Sequence, residues 1–423
     1  MSGANGNSDA CGCDSGHGSG SALTVEQAHE RVAASIRPVC GHETVAVRSA
    51  LGRVLAADVV SSLNIPPNTN AAMDGYAFRG ADLDSDGCAE LALVGTAWAG
   101  HPLERSIGPG ECARIMTGAP VPKGADSVVM QERTTGAGER IRIEGAAAGD
   151  NVRAAGEDIA PGELALAAGT LVRPAELGVL ASLGLTEVPV LRRPRVAVFA
   201  TGDELFEPGQ PLKSGGLYDS NRYTVWGMLT RLGMEIDDRG HLPDDRSAVE
   251  ASLLAAAAEN DAVITTGGVS VGEADHVGAV VREQGDVGFW QLRMKPGRPL
   301  NFGHFGDAMF FGLPGNPVSA MVTFYQFVQP ALRRLAGAPY RVPAALRARA
   351  GCDFPKRPGR TEFQRAVLAQ AADGTPSVAH TGHQGSGRLT SMARANCFVV
   401  IPADSAGFAE GEWVDVQPFE GLV

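Results

Sequence analysis

Three things are scarce in this chain: cysteine, long apolar runs and positive charge. Seven cysteines scattered over 423 residues make no disulfide framework and fit a reducing compartment. No stretch approaches the roughly 18 consecutive apolar residues that a membrane span requires, and no basic segment followed by an apolar one opens the chain. A soluble, cytoplasmic protein with no membrane partner is therefore expected. The formal net charge of −12 argues against a nucleic-acid partner, which calls for a basic face; the acidity also serves plain solubility. No Gly-Lys-Ser/Thr phosphate loop is present and no Gly-x-Gly-x-x-Gly opens a helix, so ordinary ATPase and dinucleotide roles fall away. There is no His-Glu-x-x-His spacing and no evident Ser-His-Asp arrangement, which leaves little ground for a zinc protease or a covalent nucleophile. Cys11, Cys13 and His17 form the one metal-like cluster. They lie in a tail with six Gly and five Ser among its first 21 residues, so residues 1–20 read as disordered.

What is abundant is glycine and proline, 54 and 26 residues, beside 44% apolar content. That composition describes a folded chain of many turns, and its length predicts two to four domains. Thr24 can cap a helix running to Ile36, with Val25, Ala28, Val32 and Ile36 as its apolar stripe. From Pro66 to about Glu157 only short strands and turns are legible, which predicts a small β module. Residues 195–336 alternate strands with helices, the rhythm of a mainly parallel sheet covered on both faces. Beyond Pro339 short strands return, and a small β-barrel is expected.

The most informative stretch is Thr265-Thr-Gly-Gly-Val-Ser-Val-Gly-Glu-Ala-Asp275. It follows the strand-like Asp261–Ile264 and precedes a helix over 276–284. Gly267, Gly268 and Gly272 allow close backbone approach to an anion, and Ser270 adds a hydroxyl. Lys295-Pro-Gly-Arg-Pro299 and Leu313-Pro-Gly-Asn-Pro-Val-Ser319 also follow strand-like runs. In open α/β sheets, ligands bind at the carboxyl ends of the strands. Lys295 and Arg298, on a turn pinned by Pro296 and Pro299, suit phosphate or another oxyanion; a solvated surface loop is the plain alternative. Glu204, Asp244 and Asp275 each lie at such a strand end or just before a helix. There they serve as helix caps or converge on a Mg²⁺ ion.

Together these loops resemble the pterin-binding domain of the molybdopterin molybdenumtransferases. The resemblance extends to Ala72-Met-Asp-Gly-Tyr-Ala77, Met116-Thr-Gly-Ala-Pro-Val121, Ala155-Gly-Glu-Asp158, Thr201-Gly-Asp-Glu-Leu205, Asp219-Ser-Asn221 and Gly382-His-Gln-Gly-Ser386. It covers nearly everything from residue 21 onward, in order. It implies a multidomain α/β plus β fold: an elongated dimerisation arm (21–61 and 159–190), an inserted β domain (62–158), a parallel α/β/α pterin domain (191–337) and a C-terminal β-barrel (338–423). It also implies insertion of molybdate into adenylylated molybdopterin with Mg²⁺-dependent release of AMP. The active site would be shared across a homodimer, with transient contact to the molybdopterin adenylyltransferase.

Carried over residue by residue, the resemblance assigns catalytic roles to Asp74, Asp158, Glu204, Asp244 and Asp275, the last three as Mg²⁺ ligands. Substrate contacts fall to Thr117, Gly202, Asp203, Ser220, Asn221, Gly267, Gly268, Ser270, Gly272, Lys295, Pro296, Arg298, Pro314, Gly315, Asn316 and Ser319. Arg365 and Ser386 match the molybdate-contacting arginine and serine. Two departures stand out. Gln291 replaces a lysine that some members carry, and Ala71 replaces a serine, which puts a hydroxyl contact there in question. A non-catalytic scaffold on the same fold, as in gephyrin, is the alternative; the retained acidic and basic residues favour catalysis.

Overall fold

The computed structural model describes residues 22–136, 138–268 and 275–419. It divides into two compact units, one of residues 40–192 and one of residues up to 39 together with 193 onward.

The second unit is built on a six-stranded sheet. Its elements in chain order are α1 (Val25–Ser35), β1 (Arg195–Ala200), α2 (Asn221–Arg231), β2 (Glu235–His241), α3 (Arg246–Glu259), β3 (Ala262–Thr266), α4 (His276–Gln284), β4 (Asp286–Gln291), β5 (Pro299–Phe305), β6 (Ala308–Leu313) and α5 (Pro317–Thr323). Strand order is β2-β1-β3-β6-β5-β4. β2, β1, β3 and β6 run parallel, while β5 is antiparallel to both β6 and β4. The sheet is thus mixed, not wholly parallel. β4 still points the same way as β6, so the Lys295 turn emerges at the same edge as the parallel strands' carboxyl ends. The sequence pattern does not reveal β5, whose run is broken by Asn301, Gly303 and His304 and opens on a proline.

Period-two alternation explains why the central strands are apolar throughout. Val196 and Val198 of β1, Ile264 of β3 and Phe311 of β6 join one core with α1, α2 and α5. Ala197, Phe199, Val263 and Phe310 point to the other face and pack against α3 and α4. α5 passes through a π-helical turn, Phe324–Val328, into a further helix, Gln329–Leu335.

Thr24 caps α1, accepting from the Gln27 N–H at 3.2 Å while Gln27 reaches back to the Thr24 N–H at 3.0 Å. The expected arm, 21–61 with 159–190, includes this helix. Its Val25, Ala28, Val32 and Ile36 pack instead with Leu332 and Phe327 of the α/β core, so residues 22–39 belong with the α/β unit.

The C-terminal strands close into the expected barrel, which has five strands. The order is Thr361–Gln370, Pro376–His380, Leu346–Ala350, Trp413–Pro418, Cys397–Ile401 and back to Thr361–Gln370. Closure encloses Phe354, Val378, Val399 and Val414. The pair Met294–Lys295, just after β4, adds parallel to Thr361–Glu362 of the barrel.

In the other unit, His42–Ala46 pairs with Glu187–Leu191, and Val59–Val60 pairs with Leu164–Leu166, around a core of Val47, Leu55, Leu180 and Val188. A second six-stranded sheet, built from segments between Gly75 and Ile143, buries Phe78, Leu91 and Ile141 on one side and Ala71, Ala77 and Ile115 on the other.

Candidate active site

The α/β sheet changes winding direction between β1 and β3. The chain leaves β1 for β2 on one side and returns to β3 on the other. The loops after these strands diverge and leave a crevice. An open cleft of about 580 Å³ occupies it, lined by Thr201–Glu204 after β1, Asp244 after β2, Gly267 and Gly268 after β3, Asp275 and His276 at the start of α4, and Gly315 after β6. Gly267 has a positive φ of 93°, and a Cβ there would lie 2.4 Å from Thr201 Oγ1 and 2.9 Å from its carbonyl oxygen. Glycine is required for the loops after β1 and β3 to touch.

The carboxylates divide by role. Asp275 caps α4, its Oδ1 accepting from the Gly278 N–H at 2.7 Å. At α3 the cap is Asp245, which accepts from the Ala248 N–H at 2.9 Å. Asp244 is thereby released from capping and stands exposed, 3.4 Å from His276 Nε2. Glu204 is exposed on the turn after β1, next to Gly202 and the likewise exposed Asp203. All three expected metal ligands therefore line one cleft. Among the described residues, however, no three His, Cys, Asp or Glu side chains are gathered closely enough to hold a metal ion by themselves. Ser270 and Gly272 lie outside the described residues.

Asn221 opens α2 and donates from Nδ2 to the Gly315 carbonyl at 2.7 Å, which fixes the Pro314-Gly-Asn316 turn. Its Oδ1 is buried without a hydrogen-bond partner among the described residues. Ser220 makes no side-chain cap to α2; the buried Asp219 does so, accepting from the Arg222 N–H at 3.1 Å. Arg222 is buried as well and donates to Asp219, Asp238 and Glu207, and His241 Nε2 lies 3.1 Å from Asp219 Oδ2. This network under the cleft is absent from the expected site residues. The Asp219-x-x-Arg222 spacing at the head of a helix is the signal in the sequence that could have found it.

A second polar cluster lies on the far side of the same turn. Lys295 Nζ is 3.2 Å from Glu362 Oε1, and the other Glu362 oxygen accepts from Gln364 Nε2 at 3.1 Å. Pro296 and Gly297 are buried and Arg298 is exposed. Gly297, with φ of 91°, sits where a Cβ would approach Thr323 Oγ1 to 2.6 Å, so the turn seats directly on α5. Ser319 of that helix is buried.

Arg365 is 1% exposed. Its Nε donates to Ser391 Oγ at 3.1 Å and a terminal nitrogen donates to the Gly385 carbonyl at 3.1 Å, while its own N–H donates to Gln384 Oε1. Burial pushes its pKa down to about 10, opposed by the charge of Glu362. The guanidinium thus braces the 384–391 loop from inside. Ser386 on that loop accepts, through its carbonyl, the Val318 N–H at the start of α5 (3.1 Å). Ser386, on the loop that Arg365 braces, is thereby tied to the head of α5, the Lys295–Arg298 turn meets Thr323 at that helix's other end, and the Pro314–Asn316 turn before the helix borders the cleft.

In the unit of residues 40–192, Asp74 Oδ1 accepts both the N–H and the hydroxyl of Thr117, each at 2.7 Å. The Thr117 N–H bond, then its hydroxyl, lowers the Asp74 pKa below the ordinary carboxylate value. Asp74, Thr117 and Asp158 are exposed. Ala71 is fully buried among Ala77, Ala97 and Ile115. The position faces the core, so its departure from serine removes no group from a site.

Comparison with known proteins accounts for nearly the whole chain. Residues 23–184 match the MoeA N-terminal region (domain I and II), residues 197–334 a "Probable molybdopterin binding domain", and residues 347–419 the MoeA C-terminal region (domain IV). A molybdopterin molybdenumtransferase of Haemophilus influenzae is 40% identical over 404 residues, covering 95% of this chain and 100% of that protein. One from Staphylococcus aureus is 33% identical over 380 residues, covering 88% and 90%. The crystal structure of a molybdopterin biosynthesis moeA protein from Pyrococcus horikoshii OT3 superposes with a TM-score of 0.80 at 32% identity, covering 94% of this chain and 100% of that one.

Proposed function

The chain belongs to the molybdopterin molybdenumtransferases and is an enzyme of molybdenum cofactor biosynthesis; from that premise we propose how its residues divide the work. The cleft at the switch point takes the nucleotide end of adenylylated molybdopterin, and the Lys295–Arg365–Ser386 cluster takes molybdate. The observation that carries this reading is the shared element between them. The 314–316 turn borders the cleft, and the helix it opens is bonded to Ser386. A ligand that carries both a pyrophosphate and a metal-accepting dithiolene would lie across that turn.

Within the cleft, N–H groups of the glycine turns orient phosphate oxygens, and Asn221 holds the floor. Mg²⁺ would be held by Glu204, Asp244 and Asp275. The exposed carboxylates of Glu204 and Asp244, beside the half-buried Asp275, fit this ion, which is usually bound by one or two carboxylates together with substrate phosphates, and not by an all-protein cage. Bound there, it would neutralise phosphate charge and polarise the anhydride that hydrolysis cleaves to release AMP. At the other end, Lys295 and Arg365 supply charge to the oxyanion, and the Ser386 hydroxyl a directional hydrogen bond.

Asp74, Asp158 and Thr117 reach the site from the second copy in a homodimer, and the adenylyltransferase hands over its product by transient contact. The test is complementation. Asp74→Ala and Asp275→Ala homodimers should each be nearly inactive in releasing AMP, whereas mixing the two chains should restore up to one functional site per heterodimer. A mixture no more active than its components would refute the shared site.

A further inference from the structure

A cation stands beside Asp74 and Thr117 in the unit of residues 40–192. Strand Gly75–Phe78 pairs antiparallel with Glu111–Ile115, which sets Arg114 directly opposite Tyr76, two residues after Asp74. The Arg114 guanidinium lies over the Tyr76 ring, 5.0 Å from its centre. A terminal nitrogen of Arg114 donates to Gln131 Oε1, and the Gln131 N–H donates to the Asp74 carbonyl at 3.2 Å. Strand pairing, ring and amide thus hold the cation and the carboxylate on one small surface. Gly75 lets the strand close on its neighbour, since a Cβ there would lie 1.8 Å from the Val129 carbonyl oxygen.

On the same sheet Arg140 pairs with Glu90, and Arg142 with Glu144. Arg114 differs: among the described residues its only hydrogen bond is to the neutral Gln131 amide. The neighbouring Asp74 spends its Oδ1 on the Thr117 N–H and hydroxyl. Those two bonds, and after them the charge of Arg114, keep Asp74 ionised. Arg114 is half-buried and Asp74 exposed. The guanidinium is therefore fixed in direction without being neutralised.

We propose that Arg114 is a substrate-binding residue whose guanidinium takes phosphate oxygens of adenylylated molybdopterin, alongside Asp74 and Thr117. This rests on the reading that these residues of one copy complete the cleft of the other. An ionised carboxylate offered alone to a polyanionic substrate repels it, and a cation at its side offsets that repulsion. The planar fork of arginine donates in pairs to phosphate oxygens, where an ammonium acts as a point charge. Stacking on Tyr76 removes side-chain freedom before the ligand arrives, so less entropy is lost on binding.

The test is AMP release by the intact protein, with adenylylated molybdopterin varied at saturating molybdate and Mg²⁺. Arg114→Gln should raise KM about tenfold, the loss of one charge-assisted contact, with a smaller effect on kcat. Arg114→Lys, which keeps the charge but not the fork, should recover part of that rise. Half-saturation by molybdate and the urea midpoint should stay as they were. The heterodimer of Asp74→Ala and Asp275→Ala chains locates the effect. There the rise in KM should appear when Arg114→Gln rides on the Asp275→Ala chain, whose residues 40–192 complete the one working site, and not when it rides on the Asp74→Ala chain. A KM that Arg114→Gln leaves unchanged, or a molybdate half-saturation raised in the same proportion, would overturn the assignment. So would a KM no lower in Arg114→Lys than in Arg114→Gln. A heterodimer that stays inactive, beside Arg114→Gln homodimers with the raised KM, counts against the shared site and for the Arg114 contact.

Discussion

The two polar clusters on either side of the 314–316 turn are built on opposite plans. In the cleft, Glu204, Asp203 and Asp244 are exposed, and among the described residues no three acidic or metal-binding side chains are gathered. In the Lys295–Arg365 cluster, Glu362, Gln364 and Arg365 are buried on one strand, Gln364 donating to Glu362 and Arg365 to Ser391 and the Gly385 carbonyl. If the cleft takes the nucleotide, as proposed, that multiply charged, flexible ligand would bring its own metal and order the groups around it. A small, strongly hydrated oxyanion offers few contacts, so its receptor has to be rigid before it arrives. The cleft is left for its ligand to complete, and the cationic cluster is completed by the fold.

Several substitutions would break or sharpen that contrast. The largest effect is expected from Arg365→Ala. It leaves the Gly385 carbonyl and the Ser391 hydroxyl without their donor and Glu362 with one cation fewer, so stability should fall by roughly 3 kcal/mol, measurable by urea unfolding. Among molecules still folded, the molybdate concentration for half-maximal insertion should rise while nucleotide binding persists. An unchanged urea midpoint would remove the idea of a cluster completed by folding.

Acid provides the next largest effect and comes from outside both clusters. His29 on α1 is buried against Phe327, its Nδ1 2.9 Å from the Tyr340 hydroxyl, and burial lowers its pKa to about 4. Because the folded state resists protonation, stability should be full above the unfolded pKa of about 6.5 and decline as pH falls toward 4. The decline should total up to about 3 kcal/mol, and His29→Gln should flatten it. A pH profile that His29→Gln leaves unaltered would place the acid sensitivity elsewhere.

Glu204→Gln tests the cleft directly. Exposed and without a buried partner, it should change stability by less than about 0.5 kcal/mol, yet slow AMP release at limiting Mg²⁺, with partial recovery when Mg²⁺ is raised. A large stability loss would mean that the cleft is as pre-built as its neighbour. The smallest effect is expected from Gln291→Lys at the end of β4. If charge near the Lys295 turn limits oxyanion capture, molybdate half-saturation should drop a few-fold, by about 1 kcal/mol or less for an exposed charge. No change would show that Lys295 and Arg365 suffice.

The legible and illegible parts of the sequence differ for physical reasons. α1, the βα alternation and the glycine turns are readable because caps, period-two runs and φ-permissive residues act within a few positions. Switch-point loops can be named as a site because parallel strands place their carboxyl ends on one edge. β5 escapes because an antiparallel return within an α/β array has no periodic signature of its own. The split between Asp244 and Asp245 escapes as well, since adjacent aspartates before a helix look alike until one takes the cap. Arg365 by itself looks like a surface residue. Its burial depends on Gln384, Gly385 and Ser391, some 20 residues away, and only barrel closure brings that loop over it.

At the foot of the unit formed by residues 40–192, His42 pairs with Leu191, and the Arg192 N–H donates to the Gly41 carbonyl at 3.2 Å. The first and last residues of that span, 40 and 192, therefore emerge side by side. A segment whose ends meet behaves as a cassette. It can be lodged in a surface connection of another fold without stretching the host, because the host sees only a short gap. A fragment of residues 40–192 alone begins and ends beside a paired strand, as a separable domain should.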